Sequence, residues 1–63
     1  MLLAIDAGNT NVVVAVYQGD ELRCLWRCQT NSGRTSDEYA AWLFQLFSKE
    51  GLDFAQITDA IVS

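Results

Sequence analysis

The chain has 63 residues, 51% of them hydrophobic, and carries a net charge of -4 with no histidine. Its four basic residues are scattered, whereas nucleic-acid-binding proteins need clustered cations and anionic lipid attracts basic segments, so we expect neither nucleic acid nor a membrane as a partner. The first residues lack the basic segment that opens a secretory signal peptide, so a cytoplasmic location is expected.

Two apolar runs, residues 2–5 and residues 12–17, predict β-strands near the start of the chain. Both runs are apolar at successive positions, which is typical of strands that are covered on both faces of a sheet. Gly19 and Asp20 follow the second run and predict a tight turn.

Residues 21–29 alternate between apolar and polar side chains, which indicates a half-solvated outer strand. Its apolar face is predicted to carry Leu22, Cys24, Trp26 and Cys28. On one strand Cys24 and Cys28 lie about 13 Å apart, whereas a disulfide needs Cα atoms within about 7 Å. We therefore expect two free cysteines that act as small buried hydrophobic residues, and with no histidine a zinc site is not expected.

Residues 35–38 predict the capping box of an amphipathic helix, because the Thr35 hydroxyl can accept from the third helical amide while Glu38 reaches back. Apolar residues then recur along one helical stripe, at Tyr39, Trp42, Leu43, Leu46 and Phe47. Phe44 lies off this stripe and is expected to meet another element. Gly51 is expected to follow the helix end, and Arg34 before the helix is expected to be a solvated charge.

After a short turn at residues 53–57, residues 60–62 predict a fourth strand, in which the sequence stops. A strand reached through a helix normally runs parallel to its sheet neighbour. The order β-β-β-α-β therefore predicts an α/β fold with a mixed sheet and a helix on one face. We expect residues 1–63 to be the N-terminal part of a larger domain, since so short a chain buries little surface alone.

The bend between the first two strands, Asp6-Ala7-Gly8-Asn9-Thr10-Asn11, carries the residues that point to chemistry. Gly8 lets an anion approach the backbone, and successive amides of such a bend can form an anion-binding concavity. A carboxylate beside a polyphosphate is repelled unless a cation lies between them, so Asp6 is predicted to bind nucleotide-associated Mg²⁺, directly or through water. An ordinary polar turn is the alternative, since Asn and Gly favour turns for conformational reasons alone.

This string resembles the first phosphate motif of the superfamily that contains actin, heat-shock chaperones and sugar kinases, and it is most similar to that of type III pantothenate kinases. A second stretch, Trp26-Arg27 and then Arg34-Thr35-Ser36-Asp37-Glu38-Tyr39, is similar to that family's third strand and first helix. The resemblance implies a ribonuclease-H-like mixed sheet, the β-β-β-α-β portion of the first domain of an actin-like ATPase fold.

The resemblance also implies ATP-dependent phosphorylation of pantothenate, the first step of coenzyme A biosynthesis. It places the ATP phosphates against Asp6, Ala7, Gly8, Asn9, Thr10, Asn11, Val12 and Val13, with Asp6 near Mg²⁺. It further implies a monovalent cation, potassium or ammonium, and a homodimer. The general base and the pantothenate pocket are expected beyond Ser63, so no catalytic residue is assigned and the isolated piece is expected to be inactive.

Two other functions are compatible with the motif. Another ATPase or sugar kinase of the superfamily would use the same bend, although such proteins usually carry a second threonine or serine where Asn9 stands. A kinase-like protein that binds a regulatory partner without catalysis would also retain it, because binding a phosphate and transferring it use the same turn. A second glycine-rich turn and an acidic base would distinguish a kinase from these alternatives.

Overall fold

The computed structural model describes residues 1–31 and 33–63. Its elements in chain order are β1 (Leu2–Ala7), β2 (Asn11–Gln18), β3 (Glu21–Gln29), the helix α1 (Ser36–Lys49), a 3₁₀ turn (Phe54–Gln56) and β4 (Asp59–Val62). The predicted β-β-β-α-β order is confirmed. Both strands of the first hairpin extend further than the sequence indicated, so only residues 8–10 of the bend lie outside them.

The four strands form one mixed sheet in the order β3-β2-β1-β4. β2 pairs antiparallel with both β1 and β3, whereas β4 pairs parallel with β1. The parallel fourth strand and the outer position of β3 are therefore confirmed. This arrangement is the expected α/β class, with a ribonuclease-H-like order of strands and one helix.

A two-residue turn joins β2 and β3, because Gln18 pairs with Glu21 and leaves Gly19 and Asp20 between them. Gly19 has a φ of 60°, a left-handed conformation that glycine adopts without steric cost and that suits hairpin turns. The turn predicted from this dipeptide is confirmed.

The alternation along β3 is interrupted next to this turn by a register shift between Val16 and Tyr17 of the neighbouring strand. A shifted register changes which face a side chain occupies. Leu22 pairs with Tyr17 and is 48% exposed, so the prediction that Leu22 belongs to the half-buried face of β3 is wrong. Cys24 and Cys28 are free, as predicted, but they are half-buried rather than buried.

The helix α1 packs on one face of the sheet. Val14, Val16 and Phe47 are the most deeply buried side chains there. Among residues 1–31 and 33–63 no helix covers the opposite face, where Leu25 and Ile61 remain exposed. The expectation that the first two strands are covered on both faces is therefore not met by this length of chain.

Both ends of α1 have the predicted caps. The Glu38 amide donates to the Thr35 hydroxyl at 3.2 Å, and the Thr35 amide donates to the Glu38 carboxylate at 3.1 Å. At the other end Gly51 has a φ of 72°, and the Leu52 amide donates to the Phe47 carbonyl at 2.8 Å, which forms a Schellman motif. No helix in the described ranges is long and apolar enough to cross a bilayer.

Phe44 meets another element, as predicted. Its ring centroid lies 5.9 Å from that of Phe54, in the 3₁₀ turn after the helix, in an edge-to-face arrangement. Phe54 also lies 4.6 Å from Phe47. The three rings therefore join the solvent-facing and sheet-facing sides of α1 to the segment that leads into β4.

Candidate functional site

Two of the amides at the bend are already paired within the protein. The Ala7 amide donates to the Ser63 carbonyl at 2.9 Å, and the Gly8 amide donates to the Asn11 carbonyl at 2.9 Å. Each amide has one hydrogen to donate. The expectation that successive amides of the bend are free for an anion is therefore wrong for Ala7 and Gly8.

The amides at the tip of the bend remain candidates for binding an anion. The amides of Asn9 and Thr10 have no hydrogen-bond partner within the described part of the chain, and both residues are exposed. Successive amides in a turn can converge into an anion-binding concavity. The free donors of the bend are thus restricted to its tip.

Gly8 lies close to the backbone on the other side of the bend. A Cβ at residue 8 would lie 3.1 Å from the carbonyl oxygen of Asn11. That distance is shorter than ordinary van der Waals contact, and the neighbouring atom belongs to the backbone of the same bend. Any larger residue at position 8 would require this carbonyl to shift, so glycine suits the tight closure of the bend.

Asp6 lies at the end of β1, where the bend begins. It pairs with Val13 across the hairpin, and it lies on the sheet face opposite to Ile5 and Ala7, because side chains alternate along a strand. The residue is exposed, and its carboxylate makes no hydrogen bond to the described residues. These residues also hold no cluster of three possible metal ligands. A single free carboxylate fits the protein's share of a Mg²⁺ site, since Mg²⁺ commonly takes one or two carboxylates, phosphate oxygens and waters.

The remaining predicted site residues lie on two sides of β2. Asn11 and Val13 share the face of Asp6, because they are two positions apart on one strand. Val12 faces α1 and is only 8% exposed. Its side chain therefore packs in the core, and any contact with a phosphate at this position would involve backbone atoms alone.

A cavity of about 250 Å³ lies between the sheet and α1. Its walls are mainly apolar and are formed by Ile5, Ala7, Gly8, Val12, Val14, Thr30, Tyr39, Trp42 and Leu43. Such a lining does not suit a phosphate group, which needs charged or hydrogen-bonding partners. The Asp6 side chain lies on the other face of the sheet, so the cavity and the predicted metal ligand are separate features.

Arg34 is not the solvated charge that was predicted. The residue is half-buried, and its guanidinium lies 5.1 Å from the centre of the Tyr39 ring. It also donates to Cys28 Sγ at 3.7 Å. A cation over an aromatic face is attracted by the ring's quadrupole. The charge is therefore directed onto α1 and β3 rather than into solvent.

Thr30 is a residue of the site that the sequence did not single out. Its hydroxyl donates to the Gly8 carbonyl at 2.8 Å, and its amide donates to the Thr10 carbonyl at 2.9 Å. The only available signal was its position directly after β3. The end of an outer strand becomes a neighbour of the first bend only when the pairing of β2 with β3 is known.

Comparison with known proteins was consistent with the fold and the bend. The chain matches the family model for type III pantothenate kinase over residues 2–63. It is 57% identical over 63 residues to a type III pantothenate kinase of Paramagnetospirillum magneticum, and this match covers 100% of the chain and 24% of that protein. It is 55% identical over 62 residues to a type III pantothenate kinase of Gluconobacter oxydans, and this match covers 98% of the chain and 23% of that protein. The chain thus spans about a quarter of the length of these curated relatives.

Proposed function

The chain belongs to the type III pantothenate kinase family, and on this premise we propose that the full-length protein transfers a phosphoryl group from ATP to pantothenate, the first step of coenzyme A biosynthesis. The observation that carries the proposal is the tip of the first bend. There the amides of Asn9 and Thr10, and the carboxylate of Asp6 at the end of β1, have no hydrogen-bond partner in the described part of the chain. Neutral donors next to one acidic side chain suit a nucleotide phosphate that is accompanied by a cation.

The bend would act on the phosphates of ATP by position and by electrostatics. Phosphoryl transfer depends mostly on holding the reacting groups in place and on stabilising the charge that develops on the phosphate oxygens. The Asn9 and Thr10 amides would donate to those oxygens without bringing a negative charge. Ala7 and Gly8 would contribute the shape of the bend, because their amides are already paired.

Asp6 would hold Mg²⁺, directly or through a water molecule. When bound, this ion neutralises part of the negative charge on the phosphate oxygens. Asp6 is exposed and has no hydrogen-bond partner among residues 1–31 and 33–63, which supports the role. A monovalent cation, potassium or ammonium, and a homodimeric cytoplasmic enzyme complete the proposal, and we assign none of residues 1–63 to that cation or to the dimer.

The other parts of the catalytic site would come from outside residues 1–63. The chain spans about a quarter of its relatives' length, and we assign no general base and no pantothenate pocket within it. A binding bend without a base has no means of removing the acceptor's hydroxyl proton. We therefore expect the isolated chain to show no kinase activity.

The proposal is tested with the full-length protein, Mg²⁺ and ATP, in parallel reactions with pantothenate, with glucose and with no acceptor. Pantothenate should accelerate ATP consumption, and mass spectrometry should show one added phosphate on pantothenate. Glucose serves as the acceptor of a sugar kinase and should have no effect. ATP consumption that ignores pantothenate, or that responds to glucose instead, would contradict the proposed function.

A further inference from the structure

Thr30 contacts the first bend through two hydrogen bonds that lie on either side of Asn9. Its hydroxyl donates to the carbonyl of Gly8 at 2.8 Å. Its amide donates to the carbonyl of Thr10 at 2.9 Å. One residue at the end of β3 thus holds two of the carbonyls that define the conformation of the tip.

The orientation of these carbonyls determines where the neighbouring amides point. In a trans peptide the C=O group and the following N–H group point in opposite directions, and the structure has no cis peptide among the residues it describes. The Gly8 carbonyl points towards Thr30, so the Asn9 amide points away from it. The same reasoning directs the Asn11 amide away from Thr30, because the Thr10 carbonyl points towards it.

From this geometry we propose that Thr30 is a positioning residue for nucleotide binding. Its hydroxyl fixes the Gly8 carbonyl and thereby aims the Asn9 amide at the phosphate groups, while its own amide fixes the Thr10 carbonyl on the other side of the tip. This inference rests on the proposed function, since it assumes that the bend binds a nucleotide. Without the Thr30 hydroxyl the peptide between Gly8 and Asn9 would be free to rotate, and the Asn9 donor would lose its fixed direction.

Thr30 is itself held from both sides. Before it, Gln29 pairs with Asn11 in the sheet. After it, the Asn31 amide donates to the Tyr39 hydroxyl at 3.3 Å, and that hydroxyl donates to the Asn31 carbonyl at 3.5 Å. The start of α1 and the edge of the sheet therefore keep Thr30 in place, which a positioning residue needs if it is to transmit a fixed orientation.

The test compares three variants of the full-length protein. Thr30→Val removes the hydroxyl and keeps the branched shape, Thr30→Ser keeps the hydroxyl, and Thr58→Val is the matched control. The Thr58 hydroxyl also contacts a backbone carbonyl, that of Met1 at 3.4 Å, but at the opposite end of the sheet. The readouts are the Kd for Mg-ATP, measured by equilibrium dialysis, and the KM values for ATP and pantothenate.

We expect Thr30→Val to raise the Kd and the KM for ATP about tenfold, which corresponds to the loss of one well-placed hydrogen bond. The KM for pantothenate should stay unchanged, and Thr30→Ser and Thr58→Val should bind ATP like the wild type. Rescue by serine together with an effect confined to ATP is not expected if the hydroxyl merely stabilises the fold. If the valine variant does not fold, Thr30→Ala takes its place.

The inference is overturned if a folded variant without the hydroxyl binds ATP like the wild type, or if Thr30→Ser loses as much affinity as Thr30→Val. It is also overturned if the wild type does not bind Mg-ATP. A wild type that binds Mg-ATP but leaves pantothenate unmodified would contradict the proposed function alone. In that case the Kd comparison between the Thr30 variants still decides the role of the hydroxyl.

Discussion

The ring of Phe47 on α1 lies with its centroid 5.6 Å from that of Trp26 on β3. This contact joins the helix to an outer strand of the sheet. Phe47 is only 1% exposed, so the pair belongs to the core rather than to a ligand-stacking surface. The predicted packing role of Trp26 is thereby confirmed, and the stability of the domain should depend strongly on the position of Phe47.

Phe47→Ala is expected to lower the free energy of unfolding of the full-length protein by about 3–5 kcal/mol, because it leaves a cavity between the helix and the sheet. The matched control is Phe44→Ala on the same helix, where the side chain is 61% exposed. That change should cost about 1 kcal/mol, which is the scale of its contact with Phe54. Urea denaturation measures both, and equal losses would contradict the assigned core.

Asp6→Asn is expected to lower turnover about a hundredfold or more while leaving the fold intact, because the amide keeps the size of the side chain but loses the charge that would hold Mg²⁺. Asp20→Asn is the control, since Asp20 is exposed in the turn at the other end of the β2 strand. It should leave turnover unchanged. Steady-state kinetics over a range of Mg²⁺ concentrations measures the effect. Wild-type turnover in Asp6→Asn would remove Asp6 from the metal site.

Gly8→Ala is expected to weaken ATP binding at least several-fold, because the new Cβ would press on the Asn11 carbonyl at 3.1 Å and open the bend. Gly19→Ala is the comparison in the next turn. Gly19 has a positive φ and open space around it, so this change should cost about 1–2 kcal/mol of stability without affecting ATP. Thermal unfolding and ATP titration separate the two effects, and equal ATP affinity in both variants would contradict the assignment of the first bend.

Burial raises the pKa of the Cys24 thiol above its ordinary value of 9.0; the Glu50 carboxylate adds to the increase and the Arg23 guanidinium opposes it. The thiolate is the reactive form, so below pH 9.0 Cys24 should react with iodoacetamide more slowly in the folded protein than in urea. The reaction is best measured in the Cys28→Ser variant, which leaves Cys24 as the only thiol of residues 1–63. Equal rates in both states would show that the folded environment does not protect this thiol.

The same shift has a consequence for stability. Because the folded state holds the Cys24 proton to a higher pH than the unfolded state, its contribution to stability is complete below pH 9.0. The contribution is lost as the pH rises from 9.0 through the higher folded-state pKa. The Cys24→Ser variant should lack this part of the loss of stability at alkaline pH. Urea denaturation at a series of pH values from 9.0 upwards measures the difference between the two proteins. An identical alkaline profile in both proteins would contradict it.

The order of the elements was predictable because its signals are local. The capping box of Thr35 and Glu38 involves neighbouring residues on the chain, and Gly51 ends the helix through its own backbone conformation. Alternation in β3 and the helical stripe of α1 likewise depend on residues a few positions apart. The failure at Leu22 arose from an irregular pairing of β3 with β2, in which Arg23 is an extra residue between the partners of Val16 and Tyr17.

The chemical character of the bend was also predictable, whereas the state of its amides was not. A glycine, two asparagines, a threonine and an aspartate between two apolar strands indicate a phosphate site by residue type alone. Whether an amide is free depends on which strand arrives beside it. The Ala7 amide is engaged by Ser63 only because β4 returns next to β1, and no local pattern around Ala7 contains that information.

The sequence by itself determined the elements, their caps and the residue types at the bend, since these depend on backbone preferences and side chains within a few positions. Only the tertiary structure decided that Asp6 faces away from α1, that Arg34 lies on Tyr39 and that Thr30 holds the tip of the bend. Each of these depends on strand order, register or the packing of α1. Such features bring together groups from separate elements, and their contacts arise only when the whole sheet and its helix have assembled.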